Sequence, residues 1–100
     1  MDSNRILISL GSNLGEFGSN DKGYYWKLPN GLIFQWGITN DGKKGVDFPI
    51  PFKNVYSITM GNKNNNLWTP HLRDITVKGF KATAESTNYS YGGYWFAIGN

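Results

Sequence analysis

The side chains that could carry catalysis are few in this chain of 100 residues, and they form no familiar catalytic motif. His71 is the one histidine, and Glu16 and Glu85 are the two glutamates. Asp41 and Asp47 flank a Lys-Gly turn, but glycoside hydrolysis needs two acids that face one sugar. Aspartates in such turns more often bond loop amides. The sequence therefore predicts a protein that is not an enzyme.

Composition limits the ligands as well. There is no cysteine, so neither a disulfide nor a thiolate metal site can form, and we expect no metal and no cofactor. The net charge of +3 comes from basic residues spread along the chain, and no basic run exceeds Lys43-Lys44, which predicts no nucleic-acid partner. The apolar run at residues 6–10 is too short for a membrane span or a secretion signal, so we expect no membrane insertion.

Binding groups are concentrated in three segments that the sequence predicts as loops, at residues 40–44, 62–73 and 85–91. The last two combine aromatic rings with amides and charges. This mixture suits sugars, because a ring covers the apolar face of a sugar while polar groups bond its hydroxyls. The candidate ligand-binding residues are Trp68, His71, Arg73, Asn88, Tyr89 and Tyr91. In the structural alternative, Trp68 closes the end of the fold, and Tyr89 and Tyr91 pack on a neighbouring subunit.

Strands must position these loops, since 13 glycines and abundant asparagine are typical of short strands joined by turns. Pro29-Asn30-Gly31 separates strands predicted at residues 24–28 and 32–39. It predicts a hairpin, because Pro presets φ and Gly accepts a positive φ. Extended segments or strands are also predicted at residues 46–52, 55–60, 74–80 with an extension to 84, and 94–98. The pattern predicts an all-β fold, a small antiparallel β-sandwich of about six strands over residues 24–100.

Residues 1–23 differ from the rest and are predicted to form a lead-in or linker, with one strand at residues 5–10 and a glycine-rich loop at 11–20. The 16 aromatic residues are many for the interior of one small domain. Trp26, Phe34, Trp36, Phe80 and Phe96 are expected in the core or at a subunit interface. A closed threefold interface would bury surplus rings and protect sheet edges, so we expect a homotrimer.

Four segments, in order, resemble the C-terminal domain of bacteriophage and prophage tail fibre proteins. That family shows a Gly-x-hydrophobic-hydrophobic-Gln-Trp-Gly strand, a Phe-Pro-x-x-Phe-x-Asn segment, a Gly-Phe pair and a final Tyr-Trp-hydrophobic-Ala-Ile-Gly strand. The corresponding segments here are Gly31-Leu32-Ile33-Phe34-Gln35-Trp36-Gly37, Phe48-Pro49-Ile50-Pro51-Phe52-Lys53-Asn54, Gly79-Phe80 and Tyr94-Trp95-Phe96-Ala97-Ile98-Gly99. The resemblance covers residues 23–100.

The resemblance implies a lectin-like β-sandwich at the distal tip of a homotrimeric fibre, in a virion or phage-like particle made in the bacterial cytoplasm. Its implied role is receptor binding, with a bacterial surface polysaccharide or outer-membrane protein as the partner. Loops in the family vary with the host, so the resemblance transfers no binding residue. One alternative is a purely structural trimerisation cap at the end of a fibre, with recognition elsewhere. The other is a glycan-cleaving enzyme.

Overall fold

The computed structural model of the chain describes residues 14–62, 69–84 and 89–100, and these residues form strands without a helix. In chain order the strands are β1 (Glu16–Asn20), β2 (Gly23–Lys27), β3 (Ile33–Thr39), β4 (Val46–Asp47), β5 (Val55–Asn62), β6 (Pro70–Arg73), β7 (Gly79–Ala84), β8 (Tyr89–Ser90) and β9 (Gly93–Gly99). They form a five-stranded sheet, ordered β1-β2-β3-β9-β5, and a four-stranded sheet in which β7 pairs with β4, β6 and β8. Every pairing is antiparallel, which confirms the predicted fold class.

The hairpin between β2 and β3 forms where the turn residues predict it. Gly31 has a φ of +92°, and its N–H donates to the Leu28 carbonyl at 3.0 Å. The Asn30 side chain accepts a hydrogen bond from the Leu32 N–H at 3.0 Å. Trp26 therefore lies opposite Phe34 in the register of the two strands. Local turn chemistry is sufficient to fix this pairing.

The last strand, β9, occupies the interior of the five-stranded sheet, between β3 and β5. Ala97 pairs with Gln35 on one side and with Ile58 on the other. The register between β5 and β9 shifts between Val55 and Ser57, which is the signature of a β-bulge. The strands predicted at residues 94–98 and 55–60 are confirmed.

The core lies between the two sheets and is largely aromatic. Phe48 is at its centre, with its ring centroid 4.8 Å from that of Phe52, 5.8 Å from Phe80 and 5.7 Å from Trp95. Phe80 comes from the four-stranded sheet and Trp95 from the five-stranded sheet, and their rings meet edge to face at 6.0 Å. Burying each ring of this size stabilises the folded state by about 2–3 kcal/mol. This cluster therefore provides most of the packing between the two sheets.

A buried glutamine fastens the segment after β4 to the five-stranded sheet. Gln35 is 0% exposed, although it lies in a strand of otherwise apolar character. Its Nε2 donates to the Ile50 carbonyl at 2.8 Å, and its Oε1 accepts from the Ile50 N–H at 3.0 Å. Ile50 lies between two prolines and has no strand partner, so Gln35 supplies the hydrogen bonds that a neighbouring strand would otherwise make.

One predicted strand and one predicted loop are wrong, and β6 and β8 lie inside the two segments predicted as loops at residues 62–73 and 85–91. The strand predicted at residues 74–80 begins only at Gly79, because Asp74 takes a φ of +50° and the Thr76 N–H donates to the Gly79 carbonyl at 2.8 Å, which closes a turn. The segment predicted as a loop at residues 11–20 contains strand β1 (Glu16–Asn20), in which Phe17 pairs with Trp26. The strand predicted at residues 5–10 lies outside the described residues, and the domain division at residue 23 stays a prediction.

Candidate functional site

The outer face of the five-stranded sheet is aromatic. Side chains alternate between the two faces of a strand, and Gln35 of β3 points into the core, so Phe34 and Trp36 point away from it. The register then brings rings of β1, β2 and β9 to the same side. We call this surface the aromatic face. It consists of Phe17, Tyr24, Trp26, Phe34, Trp36, Tyr94 and Phe96.

Rings of the aromatic face contact one another in rows across the strands. Phe17 stacks on Trp26 with centroids 5.1 Å apart and an interplanar angle of 10°. Phe34 lies 5.6 Å from Trp26 and 5.7 Å from Phe96. Even so, Phe17 is 61% exposed and Phe96 is 39% exposed. The rows therefore hold the rings in place without covering their outer side.

A shallow concavity of about 670 Å³ opens on the aromatic face. Trp26, Trp36 and Phe96 line it, and Thr59 contributes an aliphatic hydroxyl at its margin. The indole N–H of Trp26 already donates to the Leu14 carbonyl. A surface so poor in hydrogen-bonding groups suits an apolar protein surface better than a hydroxyl-rich sugar.

The described parts of the three predicted loops meet at one end of the sandwich. Pro70, at the start of β6, and Tyr89, at the start of β8, both pair with Ala84 at the end of β7. The turn at residues 40–44 is bonded to the same place, because the Gly42 N–H donates to the Tyr91 carbonyl at 3.0 Å. We call this region the loop end. It brings together segments that are far apart in the sequence.

Asp41 joins two of these segments at the loop end. Its Oδ1 accepts a hydrogen bond from the Ser90 hydroxyl and a longer one, at 3.4 Å, from the Lys44 N–H. The hydrogen bond from Ser90 is the main reason that the pKa of Asp41 lies below its ordinary value of 3.8. The Ser90 hydroxyl also accepts from the Lys43 N–H at 3.0 Å. The prediction that turn aspartates bond loop amides is thus confirmed for Asp41, whereas Asp47 lies in β4 with its carboxylate 3.9 Å from the Lys22 Nζ.

Four of the six predicted ligand-binding residues are in the described part of the chain. His71 and Arg73 lie on the outer face of the four-stranded sheet, where the Arg73 Nε donates to the Thr83 hydroxyl at 3.1 Å. Tyr89 is 60% exposed at the loop end. Tyr91 packs in the core at 3% exposure, and burial raises its pKa, so its ring offers no face to a ligand.

The other two predicted residues, Trp68 and Asn88, lie outside the described residues. His71 and Arg73 therefore lie on the outer face of the four-stranded sheet, and Tyr89 lies at the adjoining loop end. Tyr91 is separated from them because it is buried in the core. The binding role of these residues stays a prediction. The aromatic face adds Phe17, Tyr24 and Tyr94, which were not among the rings expected in the core or at a subunit interface.

The described residues hold no group of three or more acidic, histidine or cysteine side chains that could bind a metal ion. Within the same ranges, no helix is long and apolar enough to cross a membrane.

Comparison with protein families gives a match over residues 27–100 to the family described as "tail fiber protein gp53-like, C-terminal". This match covers most of the chain, so the chain belongs to that family of tail fibre C-terminal domains. Such a domain is part of a phage or phage-like particle. Comparison with curated protein sequences gives no significant match.

The fold is similar to that in the selenomethionine structure of an N-truncated R2-type pyocin tail fibre, determined at 2.6 Å. The TM-score is 0.64 at 17% sequence identity, and the similarity covers 99% of this chain. The chain spans 43% of the length of that pyocin chain. At this identity the similarity concerns the fold.

Proposed function

We propose that this chain is the receptor-binding tip of a phage or phage-like tail fibre, which attaches to a bacterial surface polysaccharide or outer-membrane protein. The convergence of three polar loop segments at one end of the sandwich carries this proposal. Binding surfaces of β-sandwich domains are often built from loops that a rigid pair of sheets brings together. Membership of the tail fibre family supplies the context in which such a surface meets a bacterium.

The groups at the loop end suit a glycan or a polar protein surface. Tyr89 offers an exposed ring for the apolar face of a sugar. His71 and Arg73 stand on the adjoining sheet face and can bond hydroxyl or acidic groups. Recognition of this kind requires no catalytic group, so the proposed protein acts by binding and not as an enzyme.

The aromatic face supports a homotrimer. Its exposed rings and its apolar concavity are the properties of a surface that another protein surface covers. Further copies of this chain are the proposed occupants, because a closed symmetric assembly leaves no copy of the face open, and three copies are what the tail fibre resemblance implies. Three identical receptor sites on one tip would also gain avidity on a repetitive cell surface.

A purely structural trimerisation cap is the second candidate, and the aromatic face favours it specifically. A cap needs an interface between copies, but it does not require the residues of the loop end to bind a ligand. The two functions therefore differ in whether residues of the loop end matter for attachment to cells.

The first experiment measures the mass of the purified chain by light scattering behind a sizing column. We expect three times 11.2 kDa. A monomer at micromolar concentration would contradict the trimer. Phe96→Asp, which places a charge in the concavity of the aromatic face, should shift the mass to that of the monomer.

The second experiment measures adsorption of the trimer to a panel of bacterial cells and compares Tyr89→Ala with Tyr56→Ala. The two tyrosines are matched, since Tyr89 is 60% exposed and Tyr56 is 59% exposed. Tyr56 lies beside Gly99 at the end of β9, whereas the loop end adjoins the start of β9. Tyr56 is therefore at the opposite end of that strand from the loop end. We expect Tyr89→Ala alone to lose adsorption while remaining a trimer. Equal adsorption of both trimeric variants would favour the structural cap.

A further inference from the structure

A row of lysines surrounds two adjoining clefts on the side of the molecule that carries β4 and β7. The first cleft, of about 330 Å³, contains Lys22, Asp47, Pro49 and Lys78, and the second, of about 200 Å³, contains Lys44, Asp47, Lys78 and Lys81. Asp47 and Lys78 belong to both. Four of the eight lysines of the chain thus line one continuous surface, which we call the lysine groove.

The backbone of β7 explains why this surface is open. Gly79 pairs with Asp47 of β4, and it has no side chain to cover the strands. A Cβ atom at this position would lie 2.2 Å from the Val46 carbonyl oxygen, so the close pairing of β4 and β7 requires glycine here. Apolar side chains, among them Pro49 and Pro51, line the first cleft together with the lysines.

The positive charges of the lysine groove exceed its negative charges. The Lys22 Nζ lies 3.9 Å from the Asp47 carboxylate, and the Lys81 Nζ lies 3.6 Å from the carboxylate of Asp74. Lys78 makes no ion pair with any described carboxylate. Asp41 adds a third carboxylate, because it interacts electrostatically with Lys44, so the four lysines and three aspartates together carry a net charge of +1.

Both ion pairs are weak, because all four side chains are about half exposed or more. Arg73 also lies directly opposite Lys81 in the register of β6 and β7, and like charges in that position repel each other. An anion bound in the groove would relieve this repulsion. The surface thus keeps an excess of positive charge.

We propose that the lysine groove binds the acidic groups, carboxylate or phosphate, of a bacterial surface polysaccharide. This inference rests on the proposed receptor-binding function and names the class of its ligand. Lysine ammonium groups act as point charges that accept either kind of acidic group without a fixed geometry. Lys44 is the last residue of the turn at residues 40–44 of the loop end and also lines the second cleft, so one polymer chain can contact the loop end and the groove together.

The test measures binding of the purified chain to polygalacturonate, to polyglycerol phosphate and to neutral dextran, at low and at high salt. The groove variant is Lys44→Gln with Lys78→Gln, and its control is Lys53→Gln with Lys27→Gln, which removes the same charge from lysines outside the groove. All four are exposed, so the variants should fold.

We expect the parent chain to bind one or both acidic polymers more tightly than dextran, and high salt to weaken that binding. Attraction of about 1 kcal/mol per lysine at 4 Å in water corresponds to roughly a fivefold change, so the groove variant should bind about 25-fold more weakly. Binding of polygalacturonate alone identifies carboxylates as the ligand, and binding of polyglycerol phosphate alone identifies phosphates. An equal loss in the control variant, or equal binding of dextran, overturns the proposal.

A single-stranded DNA of equal charge provides a polyanion that is not a glycan, and tighter binding of this DNA than of either acidic polymer also overturns the proposal. The outcomes are separable from those of the proposed function. If Tyr89→Ala abolishes adsorption to cells but the groove variant binds acidic polymers like the parent, the groove proposal fails alone. If the parent chain binds acidic polymers through the groove but adsorbs to no cell of the panel, the receptor-binding function fails alone.

Discussion

Replacing Gln35 by leucine tests the account of the fold most sharply. The Gln35 amide makes two hydrogen bonds to the backbone of Ile50, at 2.8 Å and 3.0 Å, and is 0% exposed. Leucine has a similar size but can make neither bond. The variant therefore leaves the Ile50 N–H and carbonyl without a partner beside the core, while the aromatic face on the other side of β3 stays unchanged.

The expected loss can be worked out from these two bonds. A buried polar group left unpaired costs about 1–3 kcal/mol, so the two groups cost about 2–6 kcal/mol together. Burying an apolar leucine side chain in place of the amide raises the unfolding free energy by about 1–2 kcal/mol and so offsets part of this loss. The net loss of unfolding free energy is then about 3 kcal/mol, out of a total of roughly 5–15 kcal/mol for a domain. For a chain of this size, it lowers the Tm by about 15 °C.

Urea and thermal unfolding, followed by tryptophan fluorescence at one fixed protein concentration, measure this loss. The concentration must be fixed because association of copies adds to the apparent stability. Asn54→Ala is the control, since the Asn54 amide bonds the Asn100 side chain at 3.0 Å in an exposed place and should cost less than about 1 kcal/mol. A Gln35→Leu variant as stable as the control would refute the idea that these hydrogen bonds hold the segment after β4.

Two further predictions concern β7 and the loop end. Gly79→Ala should cost about 1–3 kcal/mol, because its Cβ would press against the Val46 carbonyl, whereas Gly61→Ala meets nothing within 4 Å; thermal unfolding of both variants checks this. Because the pKa of Asp41 is lowered in the folded state, the unfolded state takes up the proton first as the pH falls. The stability from Asp41 is thus complete above about pH 4 and is lost as the pH drops through the lowered pKa. Unfolding midpoints between pH 6 and pH 2 should fall less steeply for Asp41→Asn, and parallel curves would contradict the assignment.

Local signals predicted those parts of the fold that depend on neighbouring residues. The hairpin follows from Pro29-Asn30-Gly31, and the alternation along β3 correctly placed Phe34 and Trp36 on one side and Gln35 on the other. Alternation cannot say which side faces the core. The more apolar side is the outer one here, because Gly37 on the other side leaves room for the Trp95 ring, which a Cβ atom at that position would approach to 2.9 Å.

Other features depend on contacts between distant residues. Ile75 and Val77 alternate like a strand, but the backbone of Asp74 turns left-handed and leaves both side chains exposed. The meeting of turn 40–44 with β8 spans more than 40 residues, so no local pattern could reveal it. The family resemblance, in contrast, was confirmed, because its motifs include the turn and the core segments on which the fold depends.

The interior place of β9 affects how the chain is assembled during synthesis. β3 and β5 each pair with β9 and not with each other, so the two halves of the five-stranded sheet stay separate until residues 93–99 have left the ribosome. The aromatic face is incomplete until the same moment, because Tyr94 and Phe96 belong to β9. Chains that stop before β9 therefore lack part of the aromatic face, through which we propose that copies associate. Protease digestion of a chain ending at Gly92 should show a fold that is more easily cleaved than that of the full chain.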